Sequence, residues 1–282
     1  MIKDIEVIYY CLDEFCKIYQ EWERNKLIET GRKRERRGKL SLAEMLTIMV
    51  YFHSSHYKDF KNYYQKEIRI IHRNKFKELP CYERFVCLMP KLLLPLSIFM
   101  QYIKGEETGH YIIESTKLAV CNNRRISRNK TFAKIAKRGK TSMGWFYGFK
   151  LHMVINNKGE IKAVKITRGN VDDRKPVEEL TKSLKGAIYA DKGYLSKKLF
   201  NSLYRRGLKI ISGIKSTMKN YLLSLQEKIN LRGRFLIETI FGKLKSQATI
   251  EHSRHRSPIN FIVNTLAALA SYALKANTFV IP

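Results

Sequence analysis

The sequence predicts an α/β protein, a mixed-sheet core preceded by a small all-helical N-terminal region. Three observations carry that expectation. Apolar residues in the first hundred or so positions recur with a helical period, the pattern turns β-rich at Tyr111, and from Arg174 onward helical and strand segments alternate. The expected division is a helical region over 1–107 and a core domain over 108–282.

In chain order, Ile5, Ile8, Tyr9, Leu12, Phe15, Cys16 and Tyr19 mark the first helix. The basic run Arg32 to Lys39 breaks the periodicity. Ser41-Leu-Ala-Glu44 then has the spacing of a capping box and opens an apolar helix from Leu42 to Phe52. Amphipathic stretches follow at Tyr57 to Tyr64 and Tyr82 to Met100, the second interrupted by Pro90 and Pro95, without a diagnostic helix-turn-helix pattern. Tyr111 to Val120, Trp145 to Ile155 and Ile161 to Thr167 read as strands, with Asn156 to Gly159 turning between the last two. Arg174 to Leu184 reads as helix, Ala187 to Asp191 as strand, Leu195 to Arg206 as helix and Lys209 to Ile214 as strand. Leu231 to Ser246 and Asn260 to Ala276 are the last two helices. Three strands, helix, strand, helix, strand, helix is the order of a ribonuclease-H-like fold, and the opening three-strand meander narrows the expectation to it.

The informative bulk number is charge: 54 Lys and Arg stand against 25 Asp and Glu, a net +29. A field of that size attracts polyanions, of which nucleic acid is the usual one. Ribosomal and membrane-surface proteins share such a balance, but 282 residues with 44% hydrophobic content argue against the first. Asp4, Glu6, Asp13 and Glu14 break any secretory pattern, and the longest apolar stretch, Leu92 to Met100, is short for a membrane span. The five cysteines, Cys11, Cys16, Cys81, Cys87 and Cys121, match no zinc-ligand spacing. The expectation from these counts is a reduced, cytoplasmic protein that does not use a membrane.

Phosphodiester chemistry needs an activated water or 3′-hydroxyl and a stabilised leaving oxygen, and carboxylates from separate elements can hold the divalent ions that do both. Asp191 ends a short apolar strand and is followed by Lys-Gly-Tyr, a place that suits either a site facing a sheet crevice or a turn-initiating acid. Glu238 lies beside an apolar arc of Ile237, Ile240, Phe241 and Leu244 and shares a helical edge with Arg234 and Lys245. A surface salt-bridge row explains that edge as well. Glu114 shares a strand face with Ile112, Thr116 and Leu118, where a charge is costly unless paired or metal-bound.

These residues sit within a larger set: Leu40-Ser-Leu-Ala-Glu44, Tyr82-Glu-Arg-Phe85, Ile113-Glu-Ser-Thr116, Gly148-Phe-Lys-Leu-His152, Gly169-Asn-Val-Asp-Asp-Arg174, Ala190-Asp-Lys-Gly-Tyr194 and Ile237-Glu238. With Arg138 to Phe146 and the spacing Arg234-x₃-Glu238-x₆-Lys245, the chain resembles the DDE transposases of bacterial insertion sequences, the family numbered 982, over nearly its whole length. The resemblance implies a metal-dependent endonuclease and strand transferase acting on double-stranded element ends and target DNA, as a homodimer, with two Mg²⁺ ions that Mn²⁺ can replace. It assigns the metal ligands to Glu114, Asp191 and Glu238. Two departures stand out: Glu114 replaces an expected Asp, and the Tyr of the wider signature falls at Leu231. An added methylene moves a carboxylate by more than about 1 Å, where catalytic geometry tolerates about 0.5 Å. The alternative is a decayed copy that only binds DNA.

Between the first two expected strands, Asn122 to Lys140 holds eight bases and no acid. Its Arg124, Arg125, Arg128, Lys130, Lys137, Arg138 and Lys140, with Arg234 and Lys245, are the expected phosphate contacts; a solvated loop is the plainer reading of such a run. One of Asp172 and Asp173 is expected to cap a helix, and His152 to be a packed or hydrogen-bonded core histidine. A tyrosine recombinase would want a His-x-x-Arg pairing, and His252-Ser-Arg-His255 places His where Arg is needed.

Overall fold

The computed structural model describes residues 4–26, 38–142, 144–213, 223–251 and 255–276. Residues 32–37 of the basic run, Ile214 and His252 to Arg254 lie outside them. Contacts divide the chain into one unit of Met1–Ile103, Gln247–Thr249 and His255–Pro282, and another of Lys104–Ser246 and Ile250–Arg254.

The first unit is helical. α1 (Ile5–Lys26) buries Ile5, Ile8, Leu12, Phe15, Cys16 and Tyr19, while Tyr9 faces outward. At the start of α2 (Leu42–Phe52) both halves of the capping box form: Glu44 N–H donates to Ser41 Oγ, and Ser41 N–H to the Glu44 carboxylate. The next helical segment starts later than its apolar spacing suggests. α3 (Phe60–Asn62) runs into a π-helix over Tyr63–Ile71, which buries Tyr63, Tyr64 and Ile68. α4 (Tyr82–Leu88) and α5 (Leu93–Tyr102) are parted by a 3₁₀ turn at Met89–Leu92 that contains Pro90. Pro95 falls in the first turn of α5, where its missing N–H costs nothing.

The second unit is built on a six-stranded mixed sheet of β1 (His110–Cys121), β2 (Lys137–Thr141), β3 (Gly144–Asn156), β4 (Ile161–Arg168), β5 (Gly186–Ala190) and β6 (Leu208–Ser212). Its order is β2-β3-β1-β5-β6, with β4 also on β3. β3 pairs antiparallel with β1, β2 and β4, and β5 runs parallel to both β1 and β6. This is the expected ribonuclease-H-like α/β arrangement behind a helical N-terminal region. β2 is an addition, because its Lys-Arg-Gly-Lys-Thr sequence lacks apolar alternation and read as loop. β2 and β4 lie end to end along one side of β3, where Gly139 and Gly169 let the backbones meet. A Cβ on Gly139 would come within 2.1 Å of the Gly169 carbonyl oxygen.

One sheet face carries α6 (Val177–Leu180) and α7 (Lys197–Arg205), whose Val177, Leu180, Leu199 and Leu203 pack on Tyr111, Ile113, Val154 and Ile188. Strand alternation puts Ile112 and Glu114 on the opposite face, against α9 (Phe235–Ser246). The helix expected over Arg174 to Leu184 shrinks to four residues, because Asp172 draws Arg174 into a local turn and Pro176 supplies no N–H. The helix expected over Leu231 to Ser246 is two, α8 (Leu225–Arg232) and α9, parted at Gly233 and Arg234. A second capping box, Ser224 with Glu227, starts α8 earlier than expected, and Gly233 caps its end, donating its N–H to the Ile229 carbonyl. The last helix, α10 (Pro258–Ala276), belongs to the first unit, where it packs on α2 and α5. Tyr82–Tyr102 and Pro258–Ala276 are apolar and long enough to cross a bilayer by length and composition alone; the second is largely buried, as a core helix is.

Candidate active site

Parallel pairing of β1 with β5 places Ile112 opposite Tyr189, and continuing that register by two residues sets Glu114 level with Asp191. Glu114 lies mid-strand with little solvent access, and Asp191 stands exposed just past the end of β5. The turn after Asp191 is closed by its own carbonyl, which accepts from Tyr194 N–H at 2.9 Å, and Tyr194 is buried in the core.

Arg234 joins the two acids. Its Nη2 donates to Glu114 Oε2 at 3.0 Å and its Nη1 to Asp191 Oδ1 at 3.4 Å, while its Nε is buried without a hydrogen-bond partner. Arg234 sits in the tight turn before α9, closed by Ile237 N–H donating to the Arg234 carbonyl. Burial, reinforced by the negative charge of Asp191, pushes the Glu114 carboxyl above the usual range; the Ser115 N–H (3.0 Å) and Arg234 pull it back only in part.

Glu238 is not gathered with this pair. It points outward from α9 one turn beyond Arg234, while Ile237, Ile240, Phe241 and Leu244 form the expected buried arc. Among the described residues, no group of three or more His, Cys, Asp or Glu side chains is assembled that could hold a metal ion. The pair nonetheless suits Mg²⁺ by donor chemistry, since that ion prefers oxygen and is commonly held by one or two carboxylates together with substrate phosphates.

On the reverse face of β1 lies a polar group that the sequence did not disclose as such. Asp173 Oδ1 accepts from Ser115 Oγ at 2.9 Å and from the buried Lys150 Nζ at 3.0 Å, and Lys150 also donates to the Val171 carbonyl. His152 is buried beside it, 2.8 Å from Thr167 Oγ1 and 3.8 Å from Asp173; burial lowers its pKa to about 4. His152 is thus a hydrogen-bonded core residue. The doublet Asp172-Asp173 divides its work: Asp172 accepts from the backbone and side chain of Arg174, and Asp173 ties the loop after β4 to the strand that carries Glu114.

Arg124, Arg125, Arg128, Lys130, Lys137, Arg138 and Lys140 are all exposed, and none is ion-paired among the described residues. A 3₁₀ turn, Asn123–Arg125, presents the first two, and β2 presents the last three. Lys140 Nζ sits 5.8 Å from the ring centre of the exposed Trp145, and Asn123 Nδ2 donates to the Trp145 carbonyl. Lys245, by contrast, is engaged by Glu251 at 3.1 Å, whose other oxygen accepts from Ala119 N–H.

The solved structures include a match to the piggyBac transposase in its synaptic complex with hairpin DNA, with a TM-score of 0.51, covering 97% of this chain and 75% of that one. At 11% identity this is a likeness of fold. No curated protein matches the chain. Residues 104–258, more than half of the sequence and the whole span of the sheet, Glu114, Asp191 and Glu238, match the family model described as a transposase DDE domain. The chain belongs to the DDE-domain transposases.

Proposed function

We propose that this protein is a bacterial insertion-sequence transposase, of the family numbered 982, that binds terminal inverted repeats as a homodimer and carries out metal-dependent cleavage and strand transfer. The observation that carries this reading is the Glu114–Asp191 pair, brought together from adjacent parallel strands and held by one guanidinium. Glu114 and Asp191 would hold Mg²⁺ or Mn²⁺, with Glu238 as a third acid. When bound, two such ions supply activation of the attacking hydroxyl and neutralisation of the leaving oxygen. The chain's own residues position the DNA. The eight exposed bases from Arg124 to Lys140 bind phosphates without reading sequence, and their number implies a steep loss of affinity with salt.

A second reading, a protein that binds DNA without cutting it, is favoured by two features: Glu114 carries one methylene more than the expected Asp, and Glu238 stands apart from the pair. Incubation with labelled element-end DNA separates the two. The enzyme reading predicts nicks that require Mg²⁺ or Mn²⁺ and vanish with EDTA. Salt-sensitive binding without nicks under any metal condition would leave only the second.

A further inference from the structure

We infer that Arg234 is a displaceable counter-ion, lying between Glu114 and Asp191 where a divalent cation held by both would bind, so that Arg234 and metal compete for the same two carboxylates. The inference rests on the metal reading of that pair. Two adjacent carboxylates, one of them largely buried, need a neutralising charge, and Arg234 reaches both. Its fork is spread across two acids at 3.0 and 3.4 Å instead of docking both nitrogens on one, which is the strongest arginine–carboxylate arrangement. The buried Nε gains nothing in exchange. Arg234 therefore offsets part of the pair's repulsion while being held less firmly than a bidentate ion pair. An ion bound to the same oxygens at about 2.0–2.1 Å leaves no room for the guanidinium between them. On these grounds Arg234 is a positioning residue: it keeps the two acids facing one another until metal replaces it.

The test is Mn²⁺ binding to the DNA-free full chain, read as loss of the free-ion signal in electron paramagnetic resonance. Arg234→Gln is expected to bind Mn²⁺ about tenfold more tightly than the parent, and Arg234→Lys, which keeps one charge and loses the fork, to fall between them. Lys192→Gln removes the same charge beside Asp191 without freeing a carboxylate, and is expected to change affinity less than about twofold. The gain should disappear in Glu114→Gln/Arg234→Gln. Circular dichroism establishes that each variant is folded, and Arg234→Lys decides the question if Arg234→Gln is not. Equal affinity in the parent and both Arg234 variants, a gain no larger than that of Lys192→Gln, or a gain that survives Glu114→Gln would overturn the inference while leaving the metal reading intact. If no protein in the series binds Mn²⁺, the metal reading fails and the inference with it.

Discussion

Asp173 shows how much of this site depends on single side chains away from the acids themselves. It holds Ser115, the neighbour of Glu114, and is the carboxylate partner of the buried Lys150. Replacing it with Ala leaves an ammonium with little solvent and one carbonyl partner, a change expected to cost about 1–3 kcal/mol. Denaturant unfolding of Asp173→Ala against Asp173→Asn checks this, because Asn keeps an oxygen acceptor and should recover part of the loss. Equal stability of parent and Asp173→Ala would show that the contact contributes nothing. From sequence, the Asp-Asp doublet pointed to one acid making a local cap, and Asp172 does accept from the Arg174 backbone. The partners of the other acid, Ser115 and Lys150, lie 58 and 23 positions away, beyond any local pattern. Arg234 is similar: its spacing from Glu238 was legible, but its grip on Glu114 spans 120 positions.

Among elements, the legible ones are those whose rules are local. The Ser41–Glu44 capping box formed in full, and Ser41→Ala should cost about 1 kcal/mol of stability, measurable as a lowered melting temperature. The strands that face apolar neighbours came through by composition, as did the buried arc of α9. β2 did not, because a basic strand on one side of β3 has no hydrophobic period to read. The break between α8 and α9 was hidden because helical spacing continues on both sides of Gly233. At the junction of β2 with β4, Gly139→Ala would force a Cβ to within 2.1 Å of a carbonyl oxygen. That substitution is expected to cost about 1–3 kcal/mol or to detach β2, which hydrogen exchange on Lys137 to Thr141 would reveal. Unchanged protection there would contradict the close approach.

For the whole molecule, chain order conceals that α10, the last helix, joins the helices of the first unit. The charge of +29 was legible at once and agrees with the exposed, unpaired bases of the second unit. Stability should also depend on pH in a set direction. Burial lowers His152 and His255 to about 4 and His53 to about 3, from an ordinary 6.5. Between pH 6.5 and 4 the unfolded chain takes up protons at these positions that the folded chain refuses, so stability is full above 6.5 and falls as the pH drops. His152 and His255 each account for at most about 3 kcal/mol of that fall. Melting temperatures across this range should decline in the parent and less steeply in His152→Gln; parallel declines would remove His152 from the explanation. The measurement that reaches the central claim most directly is Mn²⁺-dependent nicking of element-end DNA by the parent, Glu114→Gln and Asp191→Asn, with binding measured at the same salt. If the two acids form the reactive centre, each variant loses nicking by about a hundredfold or more while binding stays within a few-fold. Nicking that persists in both variants would place the chemistry elsewhere.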